Sequence, residues 1–233
     1  MTPYAEGVKV YEETALVQEI QNLINRTKST IITRDRRGAS STTDLKIESV
    51  QRIENVDLWQ SYCFKRARLS RKGKENGFRL LDDIKTQGTW DGPPLEIHAN
   101  EIFLFHGTSI QAVQNIIHRG FSDKLGRDSG LFGAGIYFAE SATKSDEYAR
   151  PINSEGDHFY LFLSRVSMGS VHHTHTHLNG WREAPCRQGC RQMCRNPMHQ
   201  KHDSVMGHAA YRELVVYNSD QTYPEFLIKY SRR

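Results

Sequence analysis

The second half of the chain is a series of short apolar runs that are separated by turn residues. The runs are flanked by Gly, Ser, Pro or Asp, and they occupy residues 102–106, 135–139, 159–166, 211–217 and 226–230. Apolar runs of this length between turn residues are typical of strands. Helical spacing predicts two helices between the runs, 110–118 with Ser109 as its N-cap and 142–149 with Ser141 as its N-cap. The second half is therefore predicted to be rich in β-structure.

The first half of the chain is mainly helical in its spacing. Apolar residues recur at helical intervals over 13–27, which predicts an amphipathic helix. The other predicted elements are a polar loop at 33–44, a strand at 45–53, a helix with Asn55 or Asp57 as its N-cap, and a helix at 78–85. Together the two halves predict an α+β fold, with two mainly antiparallel sheets and with helices outside and ahead of them.

Length and composition favour one globular domain with an N-terminal extension. The chain has 233 residues, of which 37% are hydrophobic and 25% charged, enough for a sizeable core. We expect an N-terminal helix and polar linker over 1–44 and the main domain over 45–233, with a Cys/His-rich insertion at about 172–202. The net charge of +4 neither requires nor excludes a nucleic acid partner. No apolar run suits a membrane span or a signal peptide, so we expect an intracellular protein, cytoplasmic or nuclear, without a membrane partner.

Two ionisable residues stand in the apolar runs, where an unpaired charge is costly to bury. His106 ends the run IFLFH and precedes Gly107 and Thr108, a turn whose backbone and hydroxyl groups offer hydrogen bonds to a ligand. A histidine satisfied within the core is the alternative. Glu213 lies within YRELVVY, where it either pairs with a structural cation or faces a cleft and stabilises positive charge, as carboxylates do in glycoside chemistry. Both residues are candidates for a functional site.

Three glycines, Gly130, Gly133 and Gly135, precede the strand that contains Tyr137. Backbone without side chains can come close to a ligand at such a place. The dinucleotide fingerprint of Rossmann folds has its glycines after a strand and at the start of a helix. The order found here therefore disfavours a Rossmann site.

Three segments resemble, in order and spacing, the catalytic domain of the poly(ADP-ribose) polymerase family, the diphtheria-toxin-like ADP-ribosyltransferases. They are FLFHGTS at 103–109, GLFGAGIYFAESATKSDEYA at 130–149 and YRELVVYNSDQTYPEFLIKY at 211–230. FGAGIYFAE and YPEFLIKY resemble tankyrases, whereas RIENVDLWQSY at 52–62 resembles the N-terminal segment of the family's mono-ADP-ribosyltransferases. The resemblance covers about residues 45–233. It implies an ADP-ribosyltransferase fold whose two antiparallel sheets form an NAD⁺-binding cleft.

The resemblance also implies an activity, the transfer of ADP-ribose from NAD⁺ to a protein or other macromolecular acceptor with release of nicotinamide. The implied catalytic residues are His106, Tyr137 and Glu213. Glu213 would accept a hydrogen bond from the 2′-hydroxyl of the nicotinamide ribose and stabilise the oxocarbenium-like transition state. The residues implied to bind NAD⁺ are His106, Gly107, Thr108, Tyr137, Ser145 and Tyr148.

Most of the NAD⁺-binding residues have an implied task of their own. The backbone of Gly107 and the hydroxyl of Ser145 would hold the nicotinamide carboxamide, and Tyr137 and Tyr148 would stack on the two faces of its ring. His106 would bind a hydroxyl of the adenosine ribose. This triad is associated with chain elongation, yet some family members with the same triad transfer one unit, so the resemblance leaves elongation of poly(ADP-ribose) open. The acceptors that the resemblance implies include other proteins and the chain itself.

A segment rich in cysteine and histidine lies between the runs 159–166 and 211–217. It contains three cysteines and one histidine that are four, four and five residues apart, namely Cys186, Cys190, Cys194 and His199. Four such ligands suit a tetrahedral structural Zn²⁺ site, with a solvated Arg-rich loop as the alternative. Tankyrases have a zinc element before the strand that corresponds to 159–166, so the resemblance does not extend to this cluster. The run His172, His173, His175 and His177 is predicted to be a polar loop.

A second hypothesis belongs to another class, a catalytically weak module that has the same fold and binds NAD⁺, ADP-ribose or RNA. The basic stretch 65–74 offers contacts to phosphates, although such clusters at helix ends are usually solvated surface. Pairing of Glu213 with Arg212 or with another cation would favour this hypothesis. An intact triad favours the enzyme.

Overall fold

A nine-stranded sheet is the frame of the computed structural model, which describes residues 7–31, 33, 44–88, 92–150 and 158–233. Its strands are β1 Val8–Glu12, β2 Leu45–Asn55, β3 Glu101–Gly107, β4 Ile136–Ala139, β5 Phe159–Ser167, β6 Val171–Thr174, β7 Ser204–His208, β8 Arg212–Val216 and β9 Thr222–Arg232. The α-helices in the same ranges are α1 Val17–Thr27, α2 Val56–Asn76, α3 Ile110–Arg119 and α4 Ala142–Asp146. The strand order is β1-β2-β9-β5-β3-β4-β8-β7-β6, and neighbours are antiparallel apart from β6 and β7.

The sheet narrows in the middle, where β3 meets β4. Strand β3 pairs with β5 along its whole length. Its pairing with β4 consists of one residue pair, Phe105 with Ala139. This join divides the sheet into two halves, β1-β2-β9-β5-β3 and β4-β8-β7-β6. The predicted α+β class is therefore confirmed, and the two predicted sheets are connected through this join.

Apolar side chains of β3 alternate between the two faces of the sheet, as the two-residue period of a strand requires. Ile102 and Leu104 lie in one core cluster with the buried side chains of α3, whereas Phe103 and Phe105 lie in another with those of α1. Burial of each such side chain contributes about 1.5–3 kcal/mol. The two helices thus cover opposite faces of the sheet. Helix α1 packs on the core as its amphipathic pattern predicts, although it begins at Val17.

The prediction of a helix at 78–85 is wrong, because side chains from later segments of the chain bind the backbone of these residues. The amide of Leu81 donates to Asn100 Oδ1 at 3.0 Å, and the amide of Lys85 donates to Glu140 Oε2 at 2.8 Å. Amides engaged in this way are not available to the i→i−4 hydrogen bonds of a helix. Residues 78–84 therefore have no regular secondary structure.

Three helix starts carry predicted caps. Asn55 is the N-cap of α2, and its side chain accepts a hydrogen bond from the amide of Leu58 at 3.1 Å. Ser109 and Ser141 occupy the N-cap positions of α3 and α4 as predicted, but neither side chain forms a capping hydrogen bond. The Ser141 hydroxyl instead forms a hydrogen bond with Thr143 Oγ1 at 2.9 Å.

Strands β1, β6 and β7 have no counterpart among the predicted elements. His172 and His173 belong to β6, so the prediction of a polar loop is wrong for this part of the histidine run. The cause is pairing with β7, a segment from the other end of the insertion. Such long-range pairing stabilises a strand that local pattern does not indicate.

The N-terminal extension is described in part. Strand β1 pairs with β2, and α1 packs on the same core as the main sheet. The polar loop predicted at 33–44 lies outside the described residues apart from Thr33 and Asp44. Across the described ranges, no helix has both the length and the apolar character needed to cross a bilayer. The boundary between residues 44 and 45 stays a prediction.

Candidate active site

A cleft of about 630 Å³ lies beside the join between β3 and β4. Seven residues predicted from the sequence line it together, namely His106, Gly107, Thr108, Tyr137, Ser145, Tyr148 and Glu213. They come from the end of β3, from β4 and β8, and from α4 with the turn that follows it. Residues that are far apart in sequence thus meet in one concave site, the shape that small-molecule sites require.

His106 is held by the carbonyl of Tyr137 on the neighbouring strand. Its Nδ1 lies 2.8 Å from that oxygen, which can only accept, so we infer that Nδ1 carries the proton. Burial lowers the pKa of His106, although the hydrogen bond to Tyr137 acts in the opposite direction. A neutral ring protonated at Nδ1 presents Nε2 as an acceptor, which suits a hydroxyl donor.

The phenol of Tyr137 fixes the glycine-rich loop that precedes β4. Its oxygen accepts a hydrogen bond from the amide of Phe132 at 2.9 Å and donates to the carbonyl of Gly133 at 2.7 Å. Gly130 lies against the same phenol, since a Cβ there would come within 2.5 Å of the Tyr137 oxygen. Burial raises the pKa of Tyr137, so the phenol stays neutral at physiological pH. The ring is therefore a fixed wall of the cleft.

Gly107 and Ser145 meet where the end of β3 packs against α4. A Cβ on Gly107 would lie 1.7 Å from the carbonyl oxygen of Ser145, so a larger residue would push the two segments apart. The Ser145 hydroxyl donates to the carbonyl of Phe105 at 2.9 Å, which leaves its oxygen able to accept. This contact places the Gly107 backbone beside α4 at the wall of the cleft.

Glu213 places a carboxylate at the cleft. It lies on β8 opposite Ala139, and 7% of its surface is exposed. The ammonium of Lys144 approaches Glu213 Oε1 to 3.4 Å, whereas the neighbouring cation Arg212 pairs with Glu140 at 2.7 Å. Glu213 therefore has a cationic neighbour other than Arg212 and still lines the cleft.

Lys144 is a cleft residue that the sequence analysis did not identify. Its side chain is 4% exposed, and its ammonium contacts Glu147 Oε2 at 3.0 Å and the Tyr148 hydroxyl at 3.3 Å as well as Glu213. A buried ammonium requires such partners, because burial of an unpaired charge is costly. The available signal was its position next to Ser145 within the segment 130–149.

The cysteine and histidine cluster lies in the insertion, outside the set of residues that line the cleft. Its four members each offer one ligand atom, and these atoms all lie within 4.8 Å of one another. The members are Cys186, Cys190, Cys194 and His199. All four cysteines of the chain lie in the described ranges, and none forms a disulfide. The structure thus gathers the four predicted ligands at one point.

The basic stretch 65–74 lies within α2. Two of its charges are paired, Arg66 with Glu101 at 3.2 Å and Lys72 with Asp203 at 3.1 Å. Such pairing lowers the positive charge that the helix offers to phosphates. The RNA-binding hypothesis gains no support from this helix.

The chain is similar to known ADP-ribosyltransferases over most of its length. The poly(ADP-ribose) polymerase catalytic domain matches residues 18–232. Protein mono-ADP-ribosyltransferase PARP11 of Homo sapiens is 26% identical over 98% of this chain and 60% of its own length. Protein mono-ADP-ribosyltransferase PARP14 of Homo sapiens is 30% identical over 80% of this chain and 9% of its own length. Protein mono-ADP-ribosyltransferase PARP12 of Mus musculus is 26% identical over 79% of this chain and 22% of its own length.

These matches confirm the predicted family and refine its extent. The family match begins at residue 18 and so includes nearly all of α1. The resemblance seen in the sequence motifs begins only at about residue 45. The chain spans 60% of human PARP11 and smaller shares of the other two relatives. Their names do not confirm the tankyrase-like subtype. With its three motifs meeting at one cleft and the family match covering most of the chain, the protein belongs to the poly(ADP-ribose) polymerase catalytic-domain family.

Proposed function

We propose that the chain transfers a single ADP-ribose unit from NAD⁺ to a protein acceptor and releases nicotinamide. The observation that carries this function is the meeting of His106, Tyr137 and Glu213 in one cleft of about 630 Å³. The names of three relatives, each a mono-ADP-ribosyltransferase, favour one unit over a polymer. Acceptors in this proposal include the chain itself.

In this proposal NAD⁺ lies along the cleft with each end held by its own residues. The Gly107 backbone and the Ser145 hydroxyl bind the nicotinamide carboxamide. Tyr137 supplies a fixed face for the nicotinamide ring, and Tyr148, which is 44% exposed, covers the other face. Nε2 of His106 accepts a hydrogen bond from a hydroxyl of the adenosine ribose.

The reaction breaks the bond between C1′ of the ribose and the nicotinamide nitrogen, and nicotinamide leaves with the electron pair. Positive charge develops on the ribose as this bond lengthens. The Glu213 carboxylate stabilises that charge and holds the 2′-hydroxyl by a hydrogen bond. The acceptor then forms a bond with C1′ and gives up its proton, for which Glu213 is the base.

Incubation with NAD⁺ labelled in its adenylate half tests this function. A discrete labelled band is expected on the chain or on an added acceptor protein. A labelled smear of high mass would show elongation and contradict the transfer of one unit. Absence of label, with NAD⁺ still bound, would contradict the transferase.

A binding module with little activity is the second candidate function, and the Lys144–Glu213 contact at 3.4 Å is the observation that favours it. An ammonium that occupied Glu213 permanently would compete with the ribose hydroxyl. Lys144 has a closer carboxylate in Glu147, however, at 3.0 Å. Calorimetric titration shows whether the chain binds NAD⁺ and ADP-ribose. A binding module would bind them without releasing nicotinamide, and this difference separates the two functions.

NAD⁺ affinity is expected to fall at acid pH, because His106 must be neutral to accept a hydroxyl. Burial lowers its pKa below the usual value of 6.5, so the ring is neutral at pH 7 and gains a proton at lower pH. The unfolded chain binds this proton more readily, so stability also falls as the pH falls below about 6.5. The dissociation constant for NAD⁺, measured by calorimetry across this range, checks the expectation. His106→Gln should bind more weakly at every pH and lose this acid dependence, and parallel pH profiles would contradict the role of His106.

We further propose that Cys186, Cys190, Cys194 and His199 bind one zinc ion with a structural role. Tetrahedral zinc with Zn–S of about 2.3 Å and Zn–N of about 2.0 Å requires ligand atoms about 3.5–3.8 Å apart. Four of the separations are comparable, from 3.2 Å between Cys194 Sγ and His199 Nδ1 to 4.0 Å between Cys186 Sγ and His199 Nδ1, and all the ligand atoms lie within 4.8 Å of one another. The soft donor set suits Zn²⁺, and the ion would close the loop between residues 186 and 199.

Loss of zinc is expected to lower the Tm of the purified protein. At a free concentration of 100 times its dissociation constant, a bound ion stabilises the fold by about 2.7 kcal/mol. For a chain of this size that corresponds to roughly 5–11 °C. Elemental analysis should give one zinc per chain for the wild type and none for Cys190→Ser, with Cys63→Ser as the matched control that keeps its zinc. Equal Tm values with and without a chelator would contradict a structural ion.

A further inference from the structure

The segment that follows α1, residues 28–31 and Thr33, is here called the strap. It is bound to α4, because the Ser29 amide donates to Thr143 Oγ1 at 3.0 Å. It is also bound next to β8, because the hydroxyl of Tyr211 donates to a strap carbonyl at 2.5 Å. The strap therefore contacts both regions that supply the ion pair at the cleft.

Glu147 lies buried between the strap and Lys144. Its carboxylate accepts hydrogen bonds from the amide and the hydroxyl of Thr33, at 3.2 and 2.6 Å, and from the ammonium of Lys144 at 3.0 Å. The Glu147 side chain has 0% exposed surface, so these donors replace the water that a carboxylate would otherwise bind. The strap thus orients the carboxylate that holds Lys144.

The Lys144 ammonium lies between two carboxylates. It is 3.0 Å from Glu147 Oε2 and 3.4 Å from Glu213 Oε1, so the closer contact belongs to Glu147. Glu213 must offer an oxygen to substrate in the proposed reaction, whereas Glu147 is not among the residues that line the cleft. An ammonium that moved from Glu147 towards Glu213 would occupy the oxygen that the reaction needs.

We propose that Thr33 and Glu147 are positioning residues for the catalytic carboxylate. They draw the Lys144 ammonium towards Glu147 and so limit its contact with the Glu213 carboxylate, which binds the 2′-hydroxyl of the nicotinamide ribose in the proposed reaction. The strap therefore controls the site through α4 without touching the substrate. This inference rests on the proposed transferase function, because the role of Glu213 belongs to that function.

Replacement of Glu147 by Gln keeps the shape of the side chain and removes its charge. We expect kcat for nicotinamide release to fall roughly 10- to 100-fold, because a catalytic group misplaced by about 1 Å costs about 100-fold, while KM for NAD⁺ stays within about twofold. Thr33→Val should have the same effect in weaker form. Thr33→Ser should retain the wild-type rate, because it keeps the hydroxyl. An unchanged kcat in Glu147→Gln would overturn the proposal.

The matched control is Glu101→Gln, which neutralises another buried carboxylate. Glu101 pairs with Arg66 at 3.2 Å and with Arg165 at 3.1 Å, and it stands at the opposite end of β3 from His106. This change is expected to lower Tm, while kcat of the folded protein stays within about twofold. If kcat fell as far in Glu101→Gln as in Glu147→Gln, the effect would be a general loss of structure and the assigned role would be overturned.

A cycle with Lys144→Met tests the route of the effect. If Glu147 acts through the ammonium, the double variant has the same kcat as Lys144→Met alone, and multiplicative losses would contradict that route. Crystal structures give a readout that does not depend on turnover, since Lys144 Nζ should approach Glu213 more closely in Glu147→Gln than the 3.4 Å of the wild type. A wild type that releases no nicotinamide would refute the transferase, whereas an unmoved ammonium would refute the positioning role whatever the activity.

Discussion

Replacement of Glu213 by Gln is expected to lower kcat for nicotinamide release by about 100- to 1000-fold and to leave KM for NAD⁺ within about threefold. Glutamine has the same shape but lacks the charge that is proposed to stabilise positive charge on the ribose. Glu213 is 7% exposed, and weak screening by water strengthens this electrostatic effect. Steady-state nicotinamide release, followed by chromatography, measures both constants.

Glu140→Gln is the matched control for this experiment. Glu140 is 4% exposed and directly follows the neighbouring strand β4, but it binds Arg212 and the amide of Lys85. Loss of its charge is expected to lower Tm and to preserve kcat. Wild-type turnover in Glu213→Gln would exclude Glu213 as the catalytic carboxylate.

Gly107→Ala is expected to weaken NAD⁺ binding by roughly 100-fold and to lower the free energy of unfolding by about 1–3 kcal/mol. The added methyl group would stand 1.7 Å from the carbonyl oxygen of Ser145, so β3 and α4 must separate. Separation displaces the two groups proposed to hold the carboxamide, whose hydrogen bonds contribute about 1–1.5 kcal/mol each. Calorimetric titration with NAD⁺ and thermal unfolding measure the two effects.

Gly77→Ala separates loss of stability from loss of the binding contact. Gly77 ends α2 with a φ of 62°, and in the described part of the chain no atom beyond its two neighbours in sequence lies within 4 Å of the position that its Cβ would take. Alanine in this left-handed conformation costs about 1–2 kcal/mol. Stability should therefore fall in both glycine variants, and NAD⁺ affinity should fall in Gly107→Ala alone. Equal losses of affinity would show that the contact with Ser145 does not govern binding.

Local pattern predicts the strands that carry the site, because their apolar runs are short and end at turn residues. Strands β3, β4, β5, β8 and β9 each overlap a predicted run. His106 and Glu213 also stand out locally, since each is an ionisable residue within such a run. Their assigned roles in NAD⁺ chemistry come instead from the resemblance, which the match over residues 18–232 confirms at the level of the family.

Contacts between distant segments explain the elements that local pattern does not predict. Residues 78–85 are predicted to be helical, but Asn100 and Glu140 bind two amides of this segment and prevent the helix. The parallel pairing of β6 with β7 depends on the return of the chain after the insertion. Neither interaction has a signal within the segment that it changes.

Lys144 shows the same limit within the site. A lysine is rarely buried without a partner, and a lysine on a short helix is therefore expected at the surface. Here its ammonium lies buried between Glu147 and Glu213. The Thr33 hydroxyl that binds Glu147 comes from 114 residues earlier in the chain. Such a partner cannot be identified from the motif around Lys144.

Counting the nicotinamide released and the ADP-ribose attached in one reaction tests the transferase most directly. We predict that each nicotinamide released corresponds to one ADP-ribose unit bound to protein, seen by intact mass as single units, and that both signals fall by about 100- to 1000-fold in Glu213→Gln. Free ADP-ribose beside unmodified protein would identify a hydrolase. Bound NAD⁺ without either product would identify a binding module, and either result would contradict transfer.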